Sequence, residues 1–148
     1  MKNLAILLFL TLFSCPSESF PEYRWELVNN SNGLIHVVWG IIPKKEYIYI
    51  DDKTGEGTFL GPYDILQKND KVIDGIDSIS FKENKNLWII VYKQSTLDSY
   101  TWEEIRDQGL FDQRYDLTLE DLREMDFKIM YTVEEDESLD EQNGSKSF

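Results

Sequence analysis

The sequence predicts a mainly β protein: an antiparallel β-sandwich or partly closed sheet with two short helices in its C-terminal third, an α+β arrangement being the alternative. Three observations carry this. Apolar residues alternate with polar ones, or run in short unbroken stretches, from Tyr23 to Tyr92. Turn residues interrupt these stretches at short intervals, and no long helical pattern separates them, which disfavours a parallel sheet. After Asp98 the pattern changes, and two helix starts with capping chemistry follow, at Thr101 and Thr118. A chain of 148 residues with 41% apolar and 29% charged residues suits one ordinary globular domain.

Each element has its own reason. Tyr23, Trp25 and Leu27 alternate with Arg24 and Glu26, as in a half-buried strand. Asn29 to Gly33 follows, and Asn32-Gly33 suits a turn with positive φ. Leu34 to Ile42 is apolar on both faces and predicts a central strand. Glu46 to Ile50 and Thr58 to Leu60 are short strands around the turn Asp51 to Gly57, and Gly61 to Gly75 reads as a long irregular connection. Ile76 to Phe81 places Ile79 and Phe81 on one face, and Leu87 to Tyr92 is the most apolar strand. Thr101 with Glu104, flanked by Tyr100 and Ile105, opens a helix over Thr101–Gln108 that Gly109 stops. Thr118 with Leu117 and Leu122 repeats the arrangement over Thr118–Glu124. Leu110 to Asp116 and Phe127 to Val133 are strand-like, so this third reads as two helix–strand units 17 residues apart, too few to establish a repeat. The predicted core is Trp25, Leu27, Ile35, Val37, Ile48, Ile79, Phe81, Ile89, Val91, Ile105, Leu122, Ile129 and Tyr131.

The ends have different characters. Lys2 precedes an unbroken run, Leu4 to Phe13, of signal-peptide length, well short of the ~20 residues that span a bilayer. The run closes on Leu12-Phe13-Ser14-Cys15, which resembles a bacterial lipobox. The resemblance implies diacylglycerol on the Cys15 sulfur, cleavage before it and acylation of the new amine; acyl chains then anchor the protein at ~0.8 kcal/mol per buried CH₂. Ordinary cleavage after Ser17-Glu18-Ser19 is the alternative. The expected organisation is a signal peptide at 1–14, a lipidated cysteine and tether at 15–21, one β-rich domain at 22–132 and an acidic tail at 133–148, too polar to offset its ordering entropy. The expected location is the bacterial envelope, lipid-anchored, with the outer membrane favoured and a secreted or periplasmic protein as the alternative.

Charge removes several function classes. With 15 basic and 28 acidic residues the net charge is −13, which repels phosphate backbones, so a nucleic-acid partner is not expected. Between Glu22 and Thr132 there are 21 acids and 13 bases, a balance that disfavours lying flat on anionic lipid. One cysteine and one histidine leave no disulfide framework and no metal site rich in Cys or His, and no cofactor motif is present.

The segment Thr96 to Thr132, TLDSYTWEEIRDQGLFDQRYDLTLEDLREMDFKIMYT, resembles the C-terminal part of small, functionally uncharacterised lipoproteins of Bacteroidota. Leu97, Tyr100, Trp102, Ile105, Arg106, Arg114, Tyr115, the run Leu117 to Leu122, Ile129 and Tyr131 carry it, together with Val28 to Ser31 upstream. The resemblance implies a lipoprotein address and a compact β-rich domain, and no activity.

Chemical candidates are few. His36 lies within an apolar strand and reads as a structural histidine. Asp51 to Glu56 has the look of a calcium loop, but Lys53 stands where a third oxygen ligand belongs, so it reads as a solvated turn. The acids from Glu103 to Asp126 (Glu103, Glu104, Asp107, Asp112, Asp116, Glu120, Asp121, Glu124 and Asp126) could hold a hydrolytic carboxylate pair, but helix-start electrostatics explain several of them. No catalytic residue is therefore assigned. Trp39, Trp88 and Tyr92 are the candidate ligand-binding aromatics, Trp88 and Tyr92 sharing a face and Trp39 lying opposite in face to His36. The expected function is a non-catalytic interaction domain tethered to the membrane through its lipid, with a protein or glycan ligand. A small immunity or inhibitor protein is the first alternative and a carboxylate-dependent hydrolase the second.

Overall fold

The computed structural model describes residues 22–41, 47–77, 81 and 85–133. Among the described residues nine strands and three short helices follow in the order β1 (Tyr23–Asn29), β2 (Ile35–Gly40), β3 (Ile48–Ile50), β4 (Gly57–Phe59), β5 (Tyr63–Leu66), β6 (Lys71–Ile76), β7 (Leu87–Lys93), α1 (Gln94–Ser99), α2 (Trp102–Gln108), β8 (Gln113–Leu117), α3 (Leu119–Glu124) and β9 (Lys128–Tyr131). The fold is mainly β and its pairings are antiparallel, except that β1 runs parallel to β9.

Three layers result. The first sheet has the order β6-β1-β9, the second β5-β2-β7-β8, and β3 and β4 form a separate hairpin. Trp25 and Leu27 of β1 point inward with Val72, Ile76 and Ile129, and meet Ile35, Val37, Trp39, Ile89 and Val91 from the second sheet. The opposite face of that second sheet is also covered. Val38, Trp88, Ile90 and Tyr92 pack there under Ile48 and Ile105, with Phe59 and Trp102 partly buried beside them. Every residue of β7 except Lys93 is therefore buried, as a strand between two apolar layers must be. Each fully buried side chain of Leu or Ile size contributes about 1.5–3 kcal/mol, so this middle sheet supplies much of the driving force.

The helices form where the capping chemistry lies. The Thr101 hydroxyl accepts from the Glu104 N–H and the Glu104 carboxylate accepts from the Thr101 N–H, a reciprocal box; Gly109 ends α2 at φ 64°. Thr118 and Asp121 make the same box for α3. Leu117 and Leu122 are both buried beside it, whereas Tyr100 is 47% exposed and makes no comparable staple for α2. The two helix–strand units end differently: β8 joins the second sheet and β9 the first, so their likeness stops at the caps.

Four expectations are corrected. Gly61 to Gly75 is not irregular but contains β5 and most of β6, joined by a turn with Asn69 at φ 68°. Its turn residues are real, but they punctuate short strands. Asn32-Gly33 makes no positive-φ hairpin, because neither residue has positive φ and β1 and β2 lie in different sheets. The corner is instead held by Asn29, wholly buried, whose amide donates to the Gly33 carbonyl at 2.8 Å and the Leu66 carbonyl at 3.0 Å. Its Oδ1 accepts from the Ser31 N–H at 3.0 Å and hydroxyl at 2.7 Å. A third helix, α1, is present beyond the two expected; Lys93 offers it no side-chain cap, and it is held by the Leu34 carbonyl, which accepts from the Gln94 N–H at 3.0 Å. Finally, the strand expected over Ile76 to Phe81 does not form as such: Ile76 closes β6, Phe81 lies outside any strand, and 78–80 with Ile79 lie outside the described residues.

One edge strand of each of the two larger sheets carries a common device. On β5 the Ile65 N–H donates to Oδ1 of Asp64 at 2.8 Å, and on β6 the Gly75 N–H donates to Oδ1 of Asp74 at 2.7 Å. The other oxygen of Asp74 accepts from Nε1 of Trp39 at 2.6 Å and ties the first two layers together.

Candidate functional site

The aromatic candidates fill the core. Trp39 is 9% exposed, Trp88 2% and Tyr92 3%, and they lie on opposite faces of the second sheet, so they form no platform. Burial, with Tyr47 nearby, pushes the Tyr92 phenol up to about 12. Trp39 packs edge-on against Trp25 at 5.8 Å. The faces assigned to these residues are as the strand period requires; solvent is excluded because a third layer covers what would otherwise be an open side.

The remaining candidates have structural partners. His36 shares a hydrogen bond of 2.6 Å with Gln94 across the β2–α1 junction. In the Asp51 turn the carboxylate caps the Lys53 N–H at 2.7 Å, Gly55 takes φ 71°, and no metal-ligand cluster occurs among the described residues. Of the acids after Glu103, Glu104 and Asp121 serve as capping groups, and hydrogen bonds from Thr101 and Thr118 hold both below their ordinary carboxylate range. Asp112 accepts from the Lys93 N–H at 2.7 Å and the Thr96 hydroxyl at 2.8 Å. Asp107 and Asp116 pair with Arg106 and Arg114. Cys15 lies outside the described residues.

A surface the sequence did not single out is the outer face of the first sheet. The register places Ile73, Glu26 and Lys128 in one row and Lys71, Val28 and Met130 in the next, with Arg24 beyond them. Glu26 accepts from Lys71 at 2.7 Å and lies 3.4 Å from Lys128. The hydrogen bond from Lys71, aided by Lys128, holds its carboxyl below the usual range. Ile73 and Met130 stand 52% and 45% exposed. At the Tyr23 end a cleft of about 380 Å³ opens between Arg24, Ile73, Phe127 and Lys128. Its rim is the turn Asp126-Phe127, both at positive φ, 52° and 56°, a conformation that costs a non-glycine residue about 1–3 kcal/mol. Phe127 recovers part of this by stacking on Tyr23 at 5.3 Å, and the Arg123 guanidinium lies 5.5 Å from the centre of the same Tyr23 ring.

Only the β6 part of this face was legible in principle. Lys71 to Ile76 alternates Val72 and Ile76 with Lys71 and Gly75 at strand spacing, but Gly75 and the Asn69-Asp70 turn obscure the pattern. A second cleft, of about 290 Å³, lies between the Ser31–Leu34 corner and Lys93 to Ser95.

Comparison of the chain with protein-family models, with curated proteins and with solved structures gives no match. No helix among the described residues is long and apolar enough to cross a membrane.

Proposed function

We propose that this chain is an envelope-tethered lipoprotein whose folded part is a non-catalytic binding domain. The observation that carries the reading is the order Lys2, apolar Leu4 to Phe13, then Leu12-Phe13-Ser14-Cys15, followed within eight residues by the first strand at Tyr23. An apolar run of that length does not hold a domain in a bilayer, whereas acyl chains on Cys15 do. Pro16 to Pro21 then forms a tether of at most ~20 Å when extended, which keeps the domain at the membrane surface. An open sheet face with exposed Ile73 and Met130 beside Arg24, Lys71 and Lys128 supports a role in contact rather than chemistry.

Labelled palmitate incorporation tests this directly. Wild type takes up label and Cys15→Ala does not; equal labelling, or a mature chain beginning at Met1, overturns the proposal. A second reading, an inhibitor of a basic enzyme, is favoured by the seven acids and two bases found between Ile48 and Phe59 and between Gln94 and Gln108. Tight binding of a cationic hydrolase such as lysozyme, with loss of its activity, distinguishes it.

A further inference from the structure

The charge of this domain is sorted by layer. The layer formed by β3, β4, α1 and α2 carries seven acids and two bases. At the other extreme, the outward positions of the first sheet carry Arg24, Lys71 and Lys128 against Glu26 alone. With Glu22, Asp77 and Asp126 at its end included, that face carries four acids against three bases, still far less acidic than the opposite layer, and it is bounded by the two lysines that pair with Glu26. The same rows hold the exposed apolar groups Ile73 and Met130, separated by the half-buried Val28.

From this we infer that the outer face of the β6-β1-β9 sheet is the membrane-facing side of the domain, docking onto anionic lipid headgroups. The inference rests on the tethered-lipoprotein reading. β1 is the middle strand of this sheet and the tether runs directly into it, so the anchor delivers this sheet to the surface. An acidic domain held near an anionic bilayer turns its most negative layer away, because each basic residue at the surface gains about 1 kcal/mol and each acid is repelled. The exposed lysines reach phosphates through flexible stems, while Ile73 and Met130 meet the interfacial region between them. Net acidity thus sets the orientation of the domain and does not prevent contact.

The test uses the mature lipidated protein reconstituted into phosphatidylethanolamine–phosphatidylglycerol vesicles. With the Cys15 sulfur in a thioether, a single introduced cysteine takes a fluorophore uniquely. A label at Met130→Cys on β9 is expected to be quenched by spin-labelled lipid, and one at Thr58→Cys on β4 is not. Lys71→Gln with Lys128→Gln, surface changes checked by circular dichroism, lowers the docked-to-free ratio about 30-fold, the equivalent of ~1 kcal/mol per lysine. Salt near ~1 M, where the Debye length is about 3 Å, has the same effect. Palmitate incorporation with equal quenching at both positions, or none at either, overturns the docking inference alone. A Met130 label shielded from aqueous iodide yet untouched by spin-labelled lipid also overturns it and assigns the face to a protein segment. Absence of palmitate overturns docking together with the tethered reading.

Discussion

Replacing Asn29 by alanine removes a buried side chain that ties the end of β1 to the second sheet. Its carboxamide makes four hydrogen bonds of 2.7–3.0 Å, to the Gly33 and Leu66 carbonyls and to the N–H and hydroxyl of Ser31. The bonds to Leu66 and to the Ser31 N–H are buried, and the residue itself has no exposure. Alanine leaves an acceptor and a donor stranded at about 1–3 kcal/mol each, so the expected loss is about 3 kcal/mol or more. At a urea m-value of about 1.5 kcal/mol/M, the midpoint falls by roughly 2 M. Equilibrium unfolding in urea, followed by tryptophan fluorescence, reads this out. Asn29→Asp fares no better, because a carboxylate oxygen then faces two carbonyls in a buried site. In a double-mutant cycle with Ser31→Ala, the two changes are expected to be non-additive. A loss below about 1 kcal/mol for Asn29→Ala would refute the argument that this corner joins the two layers.

Three further outcomes are expected. Gly57→Ala drives its new Cβ into the Trp102 ring, and overpacking costs about 1–3 kcal/mol; thermal unfolding and a shifted tryptophan emission report it. Burial raises the phenols of Tyr92 and Tyr131 to about 12, above the ordinary 10.0, so the stability they provide is full below pH 10 and is lost as pH rises towards 12. Tyrosinate absorbance should show these two groups ionising last, together with unfolding. Glu26, Glu104 and Asp121 are held below their ordinary values of 4.5 and 3.8, so their contribution is present above those values and fades as pH falls through the depressed ones. Urea midpoints measured across that acid range, compared with Glu104→Gln, should show a flatter decline in the variant.

What could be read from the sequence divides along physical lines. Alternation revealed β1 because one of its faces meets water, and two-sided apolarity revealed β2 and β7 because the middle sheet is covered on both sides. The α2 and α3 helices were legible to the residue, since capping is local chemistry between positions three apart. By contrast, α1 has neither a side-chain cap nor an acid in its first turn, and forms through contacts with Leu34 and Asp112 that lie far away in sequence. The parallel pairing of β1 with β9 joins the two ends of the domain, and no local pattern encodes it. The face bearing Lys71, Ile73, Lys128 and Met130 depends on that same long-range pairing. Its residues were visible, but their adjacency was not.

On the proposed lipid-anchored reading, the aspartates beside Ile65 and Gly75 have a consequence for life in two dimensions. Anchored molecules share a plane and meet one another far more often than free ones, with their sheets held in similar orientation. Under such crowding an unguarded strand edge is a template for adding a neighbour's strand, and growth of that kind ends in a fibre. Asp64 and Asp74 each occupy an outward N–H with their own carboxylate and place negative charge along the rim. A neighbouring copy approaching β5 or β6 then finds an occupied donor and a repelling carboxylate, so one edge of each of the two larger sheets is guarded against strand addition, β8 and β9 being the other two.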